Sequence, residues 1–206
     1  MDQSAYFEQM RTKRKNEILK AARKLMLSSG PDAFNMQQLA RTLDISTVTL
    51  YKYYKNSDDI VFALQQNILQ ELEFTLKKVP STGTSIEKLL SYLTTVYMVA
   101  LEHHEQMTLL FLFDIHNRYL DNSSKIENPF FAYDGEFHQT IRTLVEPLTT
   151  SSKENTDTMA RFLTNLFTAQ IRQIALMDDS LWKSQKKILA GQITEFSKIV
   201  KNMFET

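Results

Sequence analysis

The sequence predicts an all-α protein, and three observations lead to that class. Apolar residues recur at the three- and four-residue spacing of helix faces along nearly the whole chain, and no segment alternates convincingly enough to be a strand. Only four glycines and four prolines occur in 206 residues, which is too few for a turn-rich sandwich or barrel. Hydrophobic residues make up 43% of the chain, which is enough for a core and too much for intrinsic disorder.

Three helices are predicted in the first part of the chain, at about residues 11–28, 36–43 and 47–54. Gly30 followed by Pro31 is a typical stop signal for the first helix. Asn35, with a glutamine three residues later, is typical of the capping box that opens a helix. Ser46 is placed to cap the third helix after a break of about three residues.

Six longer helices are predicted beyond these, at about residues 57–76, 85–103, 105–119, 129–146, 156–177 and 181–204. Ser57 is the expected cap of the first, and Thr84 with Glu87 forms a second capping box. Leu109 to Phe113 is apolar on nearly every face, which places its helix at the centre of a bundle. We therefore expect a three-helix domain over residues 1–56 and a helical bundle over residues 57–206.

Several classes of protein are disfavoured by what the sequence lacks. There is no cysteine, so disulfide scaffolds and thiolate chemistry are excluded. No apolar run approaches the roughly 20 residues of a membrane span, and the first ten residues resemble no signal peptide, so we expect a cytoplasmic protein without a membrane partner. The four histidines lack metal-ligand spacing, and no catalytic signature occurs. We expect no metal, no cofactor and no enzymatic activity.

The charge of the chain is unevenly distributed although its sum is zero. Residues 10–55 hold ten basic and three acidic side chains, a net charge of +7, and the remainder therefore carries −7. A basic segment on an acidic body indicates contact with a polyanion. A solvated helix face would show the same count of charges, so the local sequence pattern has to distinguish it from a polyanion-binding surface.

The strongest local signal is the segment MQQLARTLDISTVTLYKYY, residues 36–54. Two short helices joined by a tight turn form a helix-turn-helix when a small residue lies at their contact and apolar residues hold both to a support. Ala40 can serve at the contact, and the apolar residues are Leu39, Leu43, Ile45 and Leu50. The outward face of the second helix carries hydrogen-bond donors that suit a major groove, namely Thr47, Thr49, Tyr51, Lys52 and Tyr53. The alternative is an ordinary helical hairpin within a bundle.

This N-terminal part resembles the TetR (tetracycline-repressor type) family of bacterial transcription regulators from about residue 18 to residue 64. The resemblance is carried by the apolar first helix ending at Gly30 and by the segments FNMQQLA and ISTVTLYKYY. The run LYKYY is the most specific part, because it is similar to the family's leucine-tyrosine-any-tyrosine-phenylalanine signature. Beyond residue 64 only chain length and helix count match.

Three positions depart from the family's pattern. Asp44 stands where glycine is frequent in the turn, and it tolerates a left-handed backbone better than most residues. Val48 stands where a small residue is common, and it can contact a thymine methyl group or simply pack. Ser57 replaces a frequent lysine, so one phosphate contact is lost or passes to Lys55.

The resemblance implies roles for residues around the two short helices. Base edges would be faced by Thr47, Val48 and Lys52. Phosphates would be held by Thr49, Tyr51, Tyr53 and Lys55, with Asn35 and Gln37 near the DNA backbone. The basic cluster Arg11, Lys13, Arg14 and Lys15 can follow phosphates, reach a minor groove or be merely solvated.

For the rest of the chain, the resemblance implies a ligand pocket within the bundle and a homodimer formed by the last two helices. The candidate ligand residues, each of which can also be plain core, are Tyr97, Met107, Phe111, His116, Phe130, Phe131, Tyr133, Phe137, His138, Phe167 and Gln170. The candidate dimer residues are Phe162, Leu166, Leu189, Ile193, Phe196 and Val200. Ile188 and Ile199 broaden the last helix's apolar face enough to cover a core and a partner at once.

The expected function is a repressor that binds a palindromic double-stranded DNA operator as a homodimer and responds to an apolar or aromatic small-molecule effector. The first alternative is a protein-interaction adaptor on the same scaffold, for which DNA binding would be incidental. The second is an enzyme within a helical bundle, which would need convergent acid, base or metal groups.

Overall fold

The computed structural model describes residues 3–31, 33–76, 82–117, 135–149 and 153–205. Within these ranges the regular structure is helical and contains no strand, which confirms the all-α prediction. The α-helices are α1 Gln3–Ser29, α2 Met36–Thr42, α3 Thr47–Tyr51, α4 Ser57–Leu76, α5 Ser85–Glu102, α6 His104–Asn117, α7 Glu136–Val145, α8 Lys153–Leu176 and α9 Asp179–Phe204. A 3₁₀ turn, Glu146–Leu148, follows α7.

Most helix ends follow the predicted caps. The Oδ1 atom of Asn35 accepts the backbone N–H of Gln38 at 2.9 Å, and the Oγ atom of Ser46 accepts that of Thr49 at 3.0 Å. Thr84 and Glu87 form a complete capping box. The prediction of Ser57 as the cap of α4 is wrong, because the Oδ1 atom of Asn56 accepts the N–H of Asp59 at 2.8 Å.

Three helices begin earlier than their apolar periodicity predicts. Helix α1 starts at Gln3 rather than near residue 11, and α8 starts at Lys153 rather than near residue 156. Helix α9 starts at Asp179 because Asp178 accepts the backbone N–H groups of Ser180 and Leu181, each at 2.9 Å. Polar first turns of this kind bury no apolar stripe, so periodicity does not reveal them. The predicted start of α7 at residue 129 lies outside the described residues.

Helix α4 connects the short N-terminal helices to the bundle. Its stripe Ile60, Leu64, Ile68 and Leu72 is at most 2% exposed and packs where α1, α5 and α6 meet. Helix α6 is central as predicted, with Leu109, Leu110 and Phe113 fully buried. In the rest of the bundle α6 and α7 pack on α8, and α5 packs on α7, α8 and α9.

Polar contacts fix two of these helix pairs. The Nδ1 atom of buried His138 on α7 lies 3.0 Å from the Oγ1 atom of Thr164 on α8. The Nε1–H group of Trp182 on α9 donates to the carbonyl oxygen of Leu101 at 3.2 Å. No helix in the described part of the chain is long and apolar enough to cross a membrane.

The residue between α2 and α3 provides a test of the turn. Asp44 has a φ of 52° and is exposed, so its backbone lies in the left-handed region while its side chain touches no core. Replacing Asp44 with alanine should lower the free energy of unfolding by about 1 kcal/mol, because the left-handed backbone strains any residue with a Cβ atom and only aspartate can offset that strain by local hydrogen bonding. Replacing it with glycine should leave that free energy within about 0.5 kcal/mol of wild type. Urea unfolding measures both, and equal losses in the two variants would contradict the assigned turn.

Candidate nucleic-acid interface

Helices α2 and α3 are joined by a tight turn that sets their angle. The backbone N–H of Ile45 donates to the carbonyl of Ala40 at 3.0 Å, and that of Asp44 donates to Arg41 at 3.2 Å. The positive φ of Asp44 reverses the chain between these two bonds. Residues 36–54 therefore form the helix-turn-helix that their sequence predicted.

The inner face of the helix-turn-helix is dry. Leu39, Ala40 and Leu50 are at most 2% exposed, and Leu43 and Ile45 pack against the same core while half-buried. The support on α1 is a stripe of fully buried residues, Ile18, Ala22 and Met26. Because both short helices rest on one surface, their outward side chains are held in a fixed arrangement.

The outer face of α3 presents polar and aromatic side chains to solvent. Val48 is 68% exposed and Tyr51 is 53% exposed, and Lys52 and Lys55 are exposed beside them. At the start of α2, Asn35 and Gln37 are exposed as well. These six predicted residues are therefore accessible to solvent.

The remaining predicted DNA-contact residues are partly buried or hydrogen-bonded within the protein. Thr47 and Tyr53 are half-buried, and Tyr53 packs partly against the core. The Oγ1 atom of Thr49 is 2.8 Å from the Oγ atom of Ser46, so its hydroxyl belongs to the cap of α3. These contacts limit how far the three side chains can turn toward a ligand.

The basic side chains of α1 differ in their surroundings. The Nζ atom of Lys15 lies 5.7 Å from the centroid of the Tyr54 ring, which brings Lys15 to the C-terminal end of the helix-turn-helix. The guanidinium of Arg14 donates to Glu17 at 2.7 Å, so part of its charge is offset locally. Arg11 and Lys13 are fully solvent-facing.

The predicted dimer residues lie on two different faces. Leu189, Ile193 and Val200 are at most 5% exposed and pack inside the chain, because α9 lies on α5. Leu166 and Phe196 are half-buried, and Phe162 is 52% exposed. The outward apolar positions of α9 are instead Ile188 and Ile199, which are 58% and 59% exposed.

Three of the predicted ligand residues share a crevice of about 530 Å³ between α5, α8 and α9. They are Tyr97, Phe167 and Gln170, and the crevice also contains Gln173, Gln192 and Phe196. The hydroxyl of Tyr97 is buried and has no hydrogen-bond partner among the described residues, and burial raises its pKa. Sequence reasoning missed Gln173 and Gln192, although amides within apolar helix faces were a usable signal.

The other predicted ligand residues do not line this crevice. Met107 and Phe137 are core, His138 is bonded to Thr164, and Phe111 and His116 are half-buried elsewhere. Phe130, Phe131 and Tyr133 lie outside the described residues. Within the described ranges, no group of three acidic or histidine side chains is arranged to hold a metal ion.

The N-terminal part of the chain matches known regulators in sequence. Residues 18–64 match the family described as bacterial regulatory proteins of the tetR family. The HTH-type transcriptional regulator HbdR of Aromatoleum sp. (strain CIB) is 35% identical over 60 residues, which are 29% of this chain. The match spans 26%, about a quarter, of that relative's length.

The whole fold is similar to solved structures of this kind. PfmR, a TetR family transcriptional regulator from Thermus thermophilus, aligns with a TM-score of 0.64 at 14% identity, over 89% of this chain and 96% of its own. AibR, solved in complex with isovaleryl coenzyme A and operator DNA, aligns with a TM-score of 0.62 at 12% identity, over 87% of this chain and 97% of its own. At these identities the likeness concerns the fold.

Proposed function

We propose that the chain, whose residues 18–64 match the bacterial regulatory proteins of the tetR family, is a transcriptional regulator that reads double-stranded DNA with α3. One observation carries the proposal: a dry, rigidly supported helix-turn-helix turns Val48, Tyr51 and Lys52 outward. In this proposal residues 1–56 read DNA, residues 57–206 pair and sense an effector, and the protein acts in the cytoplasm.

The outward side chains of α3 divide by chemistry into two groups. Lys52 can donate to guanine O6 and N7, Val48 offers methyl groups to a thymine methyl, and Thr47 can exchange hydrogen bonds with either base type. Tyr51 and Lys55 flank them and suit phosphate oxygens, which fix register without reading sequence. A helix of this size enters the major groove, with the turn after it continuing along the groove edge.

Substitutions at two lysines should separate base reading from phosphate contact. Lys52→Ala should remove much of the roughly 1–3 kcal/mol by which a correct base pair is preferred at one position of each half-site. Lys55→Ala should weaken binding to all duplexes alike and reduce the slope of log affinity against log salt by about 0.9 per half-site. Fluorescence titrations of duplexes selected from genomic fragments, at several salt concentrations, measure both quantities.

Lys24→Ala is the matched control, because Lys24 is an exposed cation on α1 that lies outside the helix-turn-helix. It should change neither preference nor slope beyond a small long-range effect. If the wild-type protein bound all duplexes equally, the adaptor function would be favoured over the regulator.

We also propose that the chain pairs as a homodimer through α8 and α9. The outward faces of these helices carry large exposed apolar side chains, namely Phe162, Leu176, Leu181, Ile188 and Ile199. Gly191 lies between the two isoleucines, and a Cβ atom added there would meet open space, so a second helix can approach closely. A two-fold axis would place two α3 helices on half-sites about 34–36 Å apart on a palindrome.

A charged residue in this face should separate the protomers. Ile188→Glu should yield a monomer whose affinity for the full palindrome drops sharply, since a buried unpaired carboxylate is costly and the second half-site is lost. Sedimentation velocity and duplex titration measure the two effects. Thr194→Glu makes the same charge change at an exposed position on another side of α9 and should remain a dimer. A monomeric wild type would contradict the proposal.

For regulation, we propose that an apolar or aromatic effector occupies the crevice at Tyr97 and releases a repressor from DNA. The crevice is lined by Phe167, Phe196 and Ile193, and the unpartnered Tyr97 hydroxyl offers one directional hydrogen bond. It is also lined by Ile188, Gly191 and Ile199 of the proposed dimer face, so an effector bound there would lie beside the seam between the two protomers. An effector shifts the equilibrium only if it binds the released state better than the DNA-bound state. The solved complex of AibR gives precedent for a fold of this type that holds both a ligand and operator DNA.

Removing the Tyr97 hydroxyl should change protein stability and effector affinity in opposite directions. Tyr97→Phe should raise the free energy of unfolding, because it removes a buried unpaired hydroxyl, yet it should weaken the effector by about fivefold, the value of roughly 1 kcal/mol for one hydrogen bond. The effector is taken as whichever compound of an aromatic library releases the selected duplex. Tyr92→Phe is the control for effector binding, because Tyr92 is half-buried on the same helix but packs on Phe137 and does not line the crevice. Equal effector affinity in wild type and Tyr97→Phe would overturn the assigned site.

A further inference from the structure

The first turns of α1 extend beyond the rest of the protein. Every side chain from residue 3 to residue 13 is exposed, and the first buried residue of the helix is Ile18. We call residues 3–13 the N-terminal arm. At 1.5 Å per residue, Gln3 lies about 18 Å along the helix axis from Lys15.

One face of the arm continues the stripe by which α1 packs on the protein. Ile18 and Ala22 are fully buried, and the positions that precede them on the same face are Lys15, Arg11 and Phe7. Phe7 is 65% exposed although it lies on this face. The face that rests on protein over residues 18–26 is therefore available to another molecule over residues 7–11.

The position of Lys15 indicates on which side that molecule lies. Its ammonium group is 5.7 Å from the centroid of the Tyr54 ring, at the end of the helix-turn-helix and next to Lys55. The stripe thus leaves the protein beside the surface proposed to hold phosphates. Lys15 therefore joins the arm, which directly precedes it on α1, to the end of the helix-turn-helix.

The charge of this region suits a polyanion. Residues 3–16 contain four cationic side chains, Arg11, Lys13, Arg14 and Lys15, and a single carboxylate, Glu8. The large apolar side chains there are only three, Tyr6, Phe7 and Met10, which is a small surface for a lipid bilayer. Duplex DNA next to the half-site is the occupant that both charge and continuity favour.

We propose that the N-terminal arm lies along the DNA backbone just outside the half-site that α3 reads, with Arg11 on a phosphate and Phe7 against the neighbouring deoxyribose. The inference rests on the proposed function, because the duplex must first be held by α3. It extends the recognised duplex beyond the palindrome and assigns a role to a helical segment that touches no core.

Duplex length and helix face together provide the test. A short duplex ends at the outer base pairs of the selected palindrome, and a long one adds about ten base pairs on each side. Arg11→Ala should bind the long duplex about 5- to 10-fold more weakly than wild type, with the salt slope reduced by about 0.9 per arm. It should match wild type on the short duplex. Phe7→Ala should show a smaller loss, confined in the same way to the long duplex.

Lys13→Ala is the matched control. Lys13 is an equally exposed cation two residues away, so it lies about 200° around the helix from Arg11 and the two variants lose the same charge. Lys13→Ala should stay near wild type on both duplexes. Circular dichroism should show unchanged helicity in all three variants, because none of the substituted side chains is buried.

The outcomes separate the arm from the proposed function. Equal losses in Arg11→Ala and Lys13→Ala, or equal losses on short and long duplexes, would overturn the arm contact while leaving reading by α3 intact. A wild type that prefers no palindrome would instead overturn the regulator itself. Wild-type binding to phosphatidylserine vesicles that is lost in Phe7→Ala would assign the arm to a membrane and overturn the DNA contact.

Discussion

A helix of five residues cannot hold itself together in water, and α3 is such a helix. Its conformation depends on burying Leu50 completely and on the Ser46 cap at its first turn. The seven-residue α2 has the same requirement and meets it with Leu39 and Ala40. Because the buried faces carry the folding energy, the outer faces are not needed for it, and the large side chains of Val48 and Tyr51 are exposed there.

The same constraint ties the helix-turn-helix to the bundle. Helix α4 begins six residues after the last residue of α3, and its N-terminus is fixed by the Asn56 cap and by Asp59, which accepts the backbone N–H of Lys55 at 3.0 Å. Farther along, Arg23 on α1 lies 3.8 Å from Glu71 on α4. A shift of α4 within the bundle would therefore move the end of the helix-turn-helix, since close-packed contacts transmit displacement.

The sequence predicted elements wherever an apolar stripe or a cap side chain marked them. The Ser46 cap, the left-handed turn residue Asp44 and the buried stripe of α4 were all readable, because each follows from local stereochemistry. The N-terminal arm was not readable, since solvated helix has no hydrophobic period. For α9 the sequence predicted a broad apolar surface but not which part of it faces the core. Spacing alone does not say whether Leu189 or Ile188 turns inward.

The net charge of zero arises because two segments of opposite charge cancel. A segment of +7 is joined to a remainder of −7, so a polyanion is attracted by one end of the molecule and repelled by the rest. This arrangement orients the protein during encounter and disfavours binding through the bundle. It also makes the position of each cation more informative than their number, because Arg11, Lys24, Lys52 and Lys55 are all exposed and differ in where the fold places them.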